Sequence, residues 1–158
     1  MSDEFDYLFL EPLLIDRVIN EVSGLVQVSG LPNLQALEDM QQPSPAVYVI
    51  YLGDAIRANA GAQGGAKKIQ QVEQHWAFVL ALSVADGTGD GDAARRMAGP
   101  LLGSMINVLT GWRPDDQVAP LARTSRQALA QYHNGFYYYP MIFSTNFTFP
   151  RVRSWQPN

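Results

Sequence analysis

Cysteine is absent from this sequence, which excludes disulfides and thiolate metal sites and leaves the redox compartment open. Histidine occurs only at His75 and His133. They lie far apart with no patterned Asp, Glu or Cys beside them, too few ligands for a metal site, and both read as solvated. Charge is scarce as well: Asp, Glu, Lys and Arg make up 16% of the chain, against about 25% for an ordinary soluble domain. A surface so poor in charge favours assembly with copies of itself or with partners. The net charge of -4 supplies no global field for gathering nucleic acid or anionic membrane. No apolar run approaches the ~20 residues that span a bilayer, and Asp3, Glu4 and Asp6 stand where a secretory signal would be positive. A soluble cytoplasmic protein is expected, with no membrane and no sequence-specific nucleic acid among its partners.

A chain of 158 residues is long enough for one domain with a substantial core, so residues 1–158 are expected to form a single domain. The longest stretch with an apolar period of two is Val72 to Val84, VEQHWAFVLALSV. Val72, Trp76, Phe78, Leu80, Leu82 and Val84 fall on one face; Glu73, His75, Ala77, Val79, Ala81 and Ser83 fall on the other. Its first half has one polar face and its second half is apolar on both, which predicts a central strand with one end emerging and the other buried between layers.

Upstream, Glu11-Pro12 precede a helical stripe of Leu14, Ile15, Val18, Ile19 and Val22, framed at its end by Ser23-Gly24. Residues 30–45 hold three prolines and read as an irregular connection with one short helical turn starting at Asn33-Leu34. Pro45 releases AVYVIYL, Ala46 to Leu52, a buried strand by its β-branched and aromatic content. Gly53 to Gln71 has little to bury and is expected to be a mobile arm joining the two strands as a long hairpin. After the turn DGTGDGD, Asp90 or Asp92 is offered as N-cap to a helix from about Ala93 to Leu109. Met97, Leu101, Met105, Val108 and Leu109 lie on its apolar side, and Pro100 predicts a kink or restart. In the last third Ala119–Arg123 reads as a short strand, Gln127–Tyr132 is ambiguous, and Phe136–Phe149 alternates for a long way. Asn134-Gly135 is the strongest hairpin signal in the chain. The sum is an α+β fold, a mostly antiparallel sheet with helices packed on one face.

Motifs that carry chemistry are partial. Gly87, Gly89 and Gly91 follow a strand and precede a helix, but they lack dinucleotide spacing, and Asp86, Asp90 and Asp92 would repel a pyrophosphate. The same acids resemble the start of a calcium loop whose twelfth position is Met97 instead of a bidentate Glu. GAQGGAKK, Gly61 to Lys68, nearly matches a phosphate-binding loop, but Ala66 and Lys68 replace the second glycine and the magnesium hydroxyl. The better account is a flexible basic arm in which Arg57, Lys67 and Lys68 are exposed for docking to an acidic partner surface. No signature such as G-x-S-x-G fixes a nucleophile, so no catalytic residue, metal or cofactor is assigned. The aromatic series Phe136, Tyr137, Tyr138, Tyr139, Phe143, Phe147 and Phe149 suits sheet packing and an oligomer interface better than nucleic-acid stacking, because few positive charges lie near it.

Taken in order, the N-terminal helix, the proline-led PAVYVIYL strand, a loop, QHWAFVLALSV, a turn into a helix and a closing strand pair, GFYYYPMIFSTNFTF, resemble the tail terminator proteins of long-tailed bacteriophages, over about residues 11–149. The resemblance implies a structural protein and not an enzyme. Such terminators form a hexameric ring on the last ring of tail tube protein, end tail elongation and present the surface that the head's connector complex binds. On that reading the arm at 53–71 would reach a neighbour or the tube. The C-terminal tail 150–158, with Arg151, Arg153 and Trp155, would dock a partner. A head-tail connector or tail-completion protein is the alternative within the virion, and a small nucleotide-binding enzyme is the alternative from a different class.

Overall fold

The computed structural model describes residues 5–37, 43–57, 70–83, 91–126 and 128–149. Helix α1 spans Leu10–Glu21. Strand β1 (Gln27–Leu31) and a single 3-10 turn over Leu34–Leu37 follow. Next come β2 (Ala46–Arg57), β3 (Gln70–Ser83) and helix α2 (Asp92–Leu109). The chain closes with β4 (Ala122–Arg123), β5 (Gln131–His133) and β6 (Phe136–Phe149). The six strands form one sheet in the order β1-β2-β3-β6-β4, with β5 paired to β6. Only β1 and β2 run parallel; every other pairing is antiparallel. This is the α+β arrangement that the alternation predicts.

The predicted central strand is central. β3 pairs along its whole length with β6, from Gln70↔Phe149 to Ser83↔Phe136, and on its other side with β2. The period of two decides what each face buries. Val72, Trp76, Phe78, Leu80 and Leu82 join Val47, Val49 and Phe143 beneath the helices, which contribute Leu10, Leu14, Val18, Val22, Ala98, Met105 and Leu109. Ala77, Val79 and Ala81 lie on the opposite face with Ala46, Tyr48, Ile50, Tyr138 and Leu37. Burying a Phe or Leu side chain fully stabilises by roughly 1.5–3 kcal/mol. Phe78, which sits edge-on to Phe143 with ring centroids 5.5 Å apart, is therefore among the costlier residues to lose.

Several expectations are corrected. Gly30-Leu31, read as the start of the irregular connection, are strand, and Gln27–Ser29 before them, which have no reading from sequence, complete β1; the pairing to β2 makes QVSGL a strand although it has neither alternation nor length. The hairpin strands run further than the apolar residues suggest: β2 continues to Arg57 and β3 begins at Gln70, so 53–57 and 70–71 are paired strand and not free arm. The register shifts between Tyr51 and Gly53, and Gly53 has φ +112, a conformation that favours glycine and suits a bulge. Residues 58–69 lie outside the described residues. Helix α2 is continuous through Pro100 instead of restarting. Gly91 occupies its N-cap, with no side-chain capping bond. Asp92 is instead the first helical residue and pairs with Arg95 and Arg96. Met97 is exposed, not apolar-facing. Ile19 is also exposed, so the α1 stripe is carried by Leu10, Leu14, Val18 and Val22. The predicted strand at Ala119–Arg123 shrinks to Ala122–Arg123, and the ambiguous Gln127–Tyr132 yields strand only from Gln131.

The long closing strand has the bounds read from its alternation, and Asn134-Gly135 turns into it with φ of 49° and 84°, the pair of positive values that a two-residue type I′ turn requires. Pro140 sits inside this strand without breaking it. Thr124 N–H donates to the Ile142 carbonyl and Ala119 N–H to that of Asn146, so even-numbered residues of β6 direct their backbone groups away from β3. Pro140 shares that side, and its missing donor therefore falls on the outer edge, not in the β3–β6 ladder.

Candidate assembly surface

Of the residues nominated from sequence, only Arg57 lies within the described residues; Lys67, Lys68, Arg151, Arg153 and Trp155 fall outside them, as do the phosphate-loop-like stretch and Asp86 to Asp90. Arg57 is exposed at the end of β2. Its guanidinium donates to Glu73 at 3.0 Å. Glu73 also lies 3.3 Å from His75 Nε2, so His75 is a half-buried member of a polar row on the strand and not a fully solvated histidine. His133 is exposed in β5 beside the turn, with its ring against the Asn134 amide.

What organises the emerging end of the hairpin was not legible as a motif. Gln74 is fully buried on the apolar face of β3. Its amide donates to the backbone carbonyl of Tyr7 at 2.9 Å and accepts the buried Trp76 indole N–H at 3.1 Å. Tyr7 in turn donates its hydroxyl to the Asp54 carboxylate. Burial first, and then that acidic acceptor, raise the Tyr7 phenol far above its ordinary range. Phe9 and Tyr7 pack edge-on against Phe147, and Tyr7 against Tyr51 and Phe149. Residues 5–9 are thus clasped across β2, β3 and β6, and they fix where α1 begins. At the far end of α1, Arg17 donates to the Val108 carbonyl at 3.0 Å and lies 5.0 Å from the Trp112 ring centre, which ties α1 to the end of α2. The Gln74 signal present in sequence is its parity: an even position, on the face of Trp76 and Phe78.

The remaining surface chemistry lies at the sheet edges. Arg17, Arg57, Arg95 and Arg96 are all bonded within the fold. Besides Arg113, in the segment after α2, Arg123 and Arg126 have no such partner among the described residues. They line a groove of about 580 Å³ along the outer edge of β6 with Thr124, Ser125, Leu129 and Pro140. Close by, Leu129 and Tyr132 are exposed, and the Tyr132 ring packs at a tilt of 49° against Tyr137 with ring centres 4.7 Å apart. At the opposite edge Glu11 lines a groove of about 300 Å³ with Leu8, Gly30, Leu31, Pro32 and Tyr51. No group of three His, Asp or Glu gathers as a metal site among the described residues, and no helix among them is long and apolar enough to cross a membrane.

The α+β subunit thus carries Glu11 in a groove at one sheet edge, and Arg123, Arg126 and the exposed Tyr132 near the other. A comparison with curated proteins returns no match. The family model for phage tail terminator protein, however, matches residues 3–155, and the chain belongs to that family. It is accordingly a structural component of a bacteriophage tail.

Proposed function

We propose that this protein closes the head-proximal end of the tail tube as a ring of identical copies, six by the family resemblance, ending elongation and presenting the surface to which the head's connector complex attaches. The observation that carries this reading is the family match over 3–155, nearly the whole chain. The structure supports it with a surface suited to repeated contacts. Among the described residues the two ends of the strand order lie on opposite edges of the sheet, and the hairpin between them has strands of 12 and 14 residues whose outer ends carry exposed residues. Tube and connector are then the two heterologous partners, met on the two faces of the ring, in a host cytoplasm where tail assembly takes place.

The test has two arms. Native mass spectrometry over a range of concentrations, with negative-stain images of the same samples, should show closed six-copy rings. Added to growing tail tubes, the protein should arrest growth and shorten the length distribution. Tubes that elongate unaffected, together with binding to tail-free heads, would replace this reading with the connector or completion reading.

A further inference from the structure

The two sheet edges carry unmatched charges of opposite sign. Glu11, in the first turn of α1, lies against β1. A Cβ built on Gly30 would stand 2.0 Å from Glu11 Oε1, so the bare glycine is what lets the carboxylate lie on the strand. The Glu11 side chain makes no ion pair or hydrogen bond among the described residues. Its groove is otherwise apolar, formed by Leu8, Leu31, Pro32 and the Tyr51 ring. Such a site suits an arginine, whose stem covers apolar surface while its guanidinium meets a carboxylate and an aromatic face. Beyond the other end of the strand order, past β6 and β4, the unpartnered Arg123 and Arg126 line a groove with no carboxylate in its wall.

We propose that these are the two halves of one contact between copies, in which the Arg123–Arg126 segment of one chain enters the Glu11 groove of the next. The inference rests on the ring reading above and supplies its subunit contact. Complementary charges on different edges define a head-to-tail interface, the kind that propagates and closes into a ring. A two-fold dimer through either edge would oppose Glu11 with Glu11, or arginines with arginines, at a cost.

Charge reversal tests the contact. Glu11→Arg alone, or Arg123→Glu with Arg126→Glu, should weaken self-association at least tenfold in sedimentation or native mass spectrometry, with unchanged thermal melting. The combined reversal should recover most of the loss. The absence of native cysteine gives a second readout that does not depend on a stable ring. Glu11→Cys and Arg126→Cys chains, prepared separately, mixed and joined with a short bis-maleimide, should give mainly the mixed dimer. Homodimers alone, or reversals without effect or without mutual rescue, would overturn the contact. If wild-type rings form or tubes are capped in that case, the ring reading survives and the interface lies elsewhere. If neither occurs but the mixed cross-link forms, the contact stands and the capping reading fails.

Discussion

Replacing Gln74 by Met isolates a polar side chain built into the main core. The side chain is fully buried and similar in volume to Met, so packing changes little. Two hydrogen bonds are lost, to Tyr7 at 2.9 Å and from Trp76 at 3.1 Å, each worth about 1 kcal/mol net. The Trp76 indole is left with a buried unpaired donor, which costs roughly 1–3 kcal/mol, whereas the half-buried Tyr7 carbonyl turns to water. The two ways of scoring the indole bond overlap, so the expected loss is about 2–4 kcal/mol, a large fraction of the ~5–15 kcal/mol typical of a domain. Urea unfolding followed by far-ultraviolet circular dichroism would measure it. The mechanism is specific enough to be checked by a cycle. In Gln74→Met combined with Trp76→Phe the orphaned N–H is gone, and the double variant should be about 1–2 kcal/mol more stable than the sum of the singles. Amide exchange should show protection lost first in residues 5–9. A Gln74→Met protein within 0.5 kcal/mol of wild type, on the scale of an ordinary surface change, or a cycle without coupling, would refute the idea that this amide anchors the N-terminal segment.

Phe78→Asp puts an unpaired charge at a fully buried position in the central strand and should abolish folding; a soluble variant with a cooperative melt would contradict the role given to β3. Tyr48 carries a buried hydroxyl with no partner among the described residues, so Tyr48→Phe should be neutral or stabilising by about 1 kcal/mol in a thermal or urea melt. Burial, and then Tyr138, raise the Tyr48 phenol above its ordinary value. The neutral form is therefore favoured in the fold, and stability present below about pH 10 falls as the pH rises beyond it. Tyr48→Phe should flatten that alkaline loss, while equal slopes for both proteins would assign it to other groups. Deleting Ala58 to Lys67 should leave the melting transition in place while weakening assembly; a collapsed transition would make that segment structural.

Where one face of an element is buried against another, the sequence was readable. β3, β6 and the inner stripe of α1 follow from periods of 2 and 3.6, and the Asn134-Gly135 turn follows from its chemistry. Legibility fails where partners outside the segment decide. β1 carries no pattern of its own and is a strand only because β2 offers it an edge. The outer hairpin residues, Asp54 to Arg57 and Gln70-Gln71, look like linker because their support is the ladder itself and not apolar burial. Asp92 suggests a cap, yet Gly91 holds that position with the Tyr137 ring 2.9 Å from where a Cβ would be, a contact between residues 46 positions apart in sequence. The same holds for the assembly surface. The arm and the tail show their basic residues in the sequence, whereas Arg123, Arg126 and Glu11 stand out only once the fold sets them, without partners among the described residues, in grooves at the two sheet edges.

Pro140 bears on how such a protein stays soluble at the concentrations assembly demands. An open strand edge is a template on which any extended chain can grow by main-chain pairing, without regard to sequence. With a proline in the outward row of β6, that row lacks a donor midway between the stretches covered by β5 and β4, and a foreign strand cannot zip along it. Contacts at this edge must then be made by side chains, which can be matched, reversed and counted, and the contact between copies proposed above would form without the edge becoming a seed for fibres.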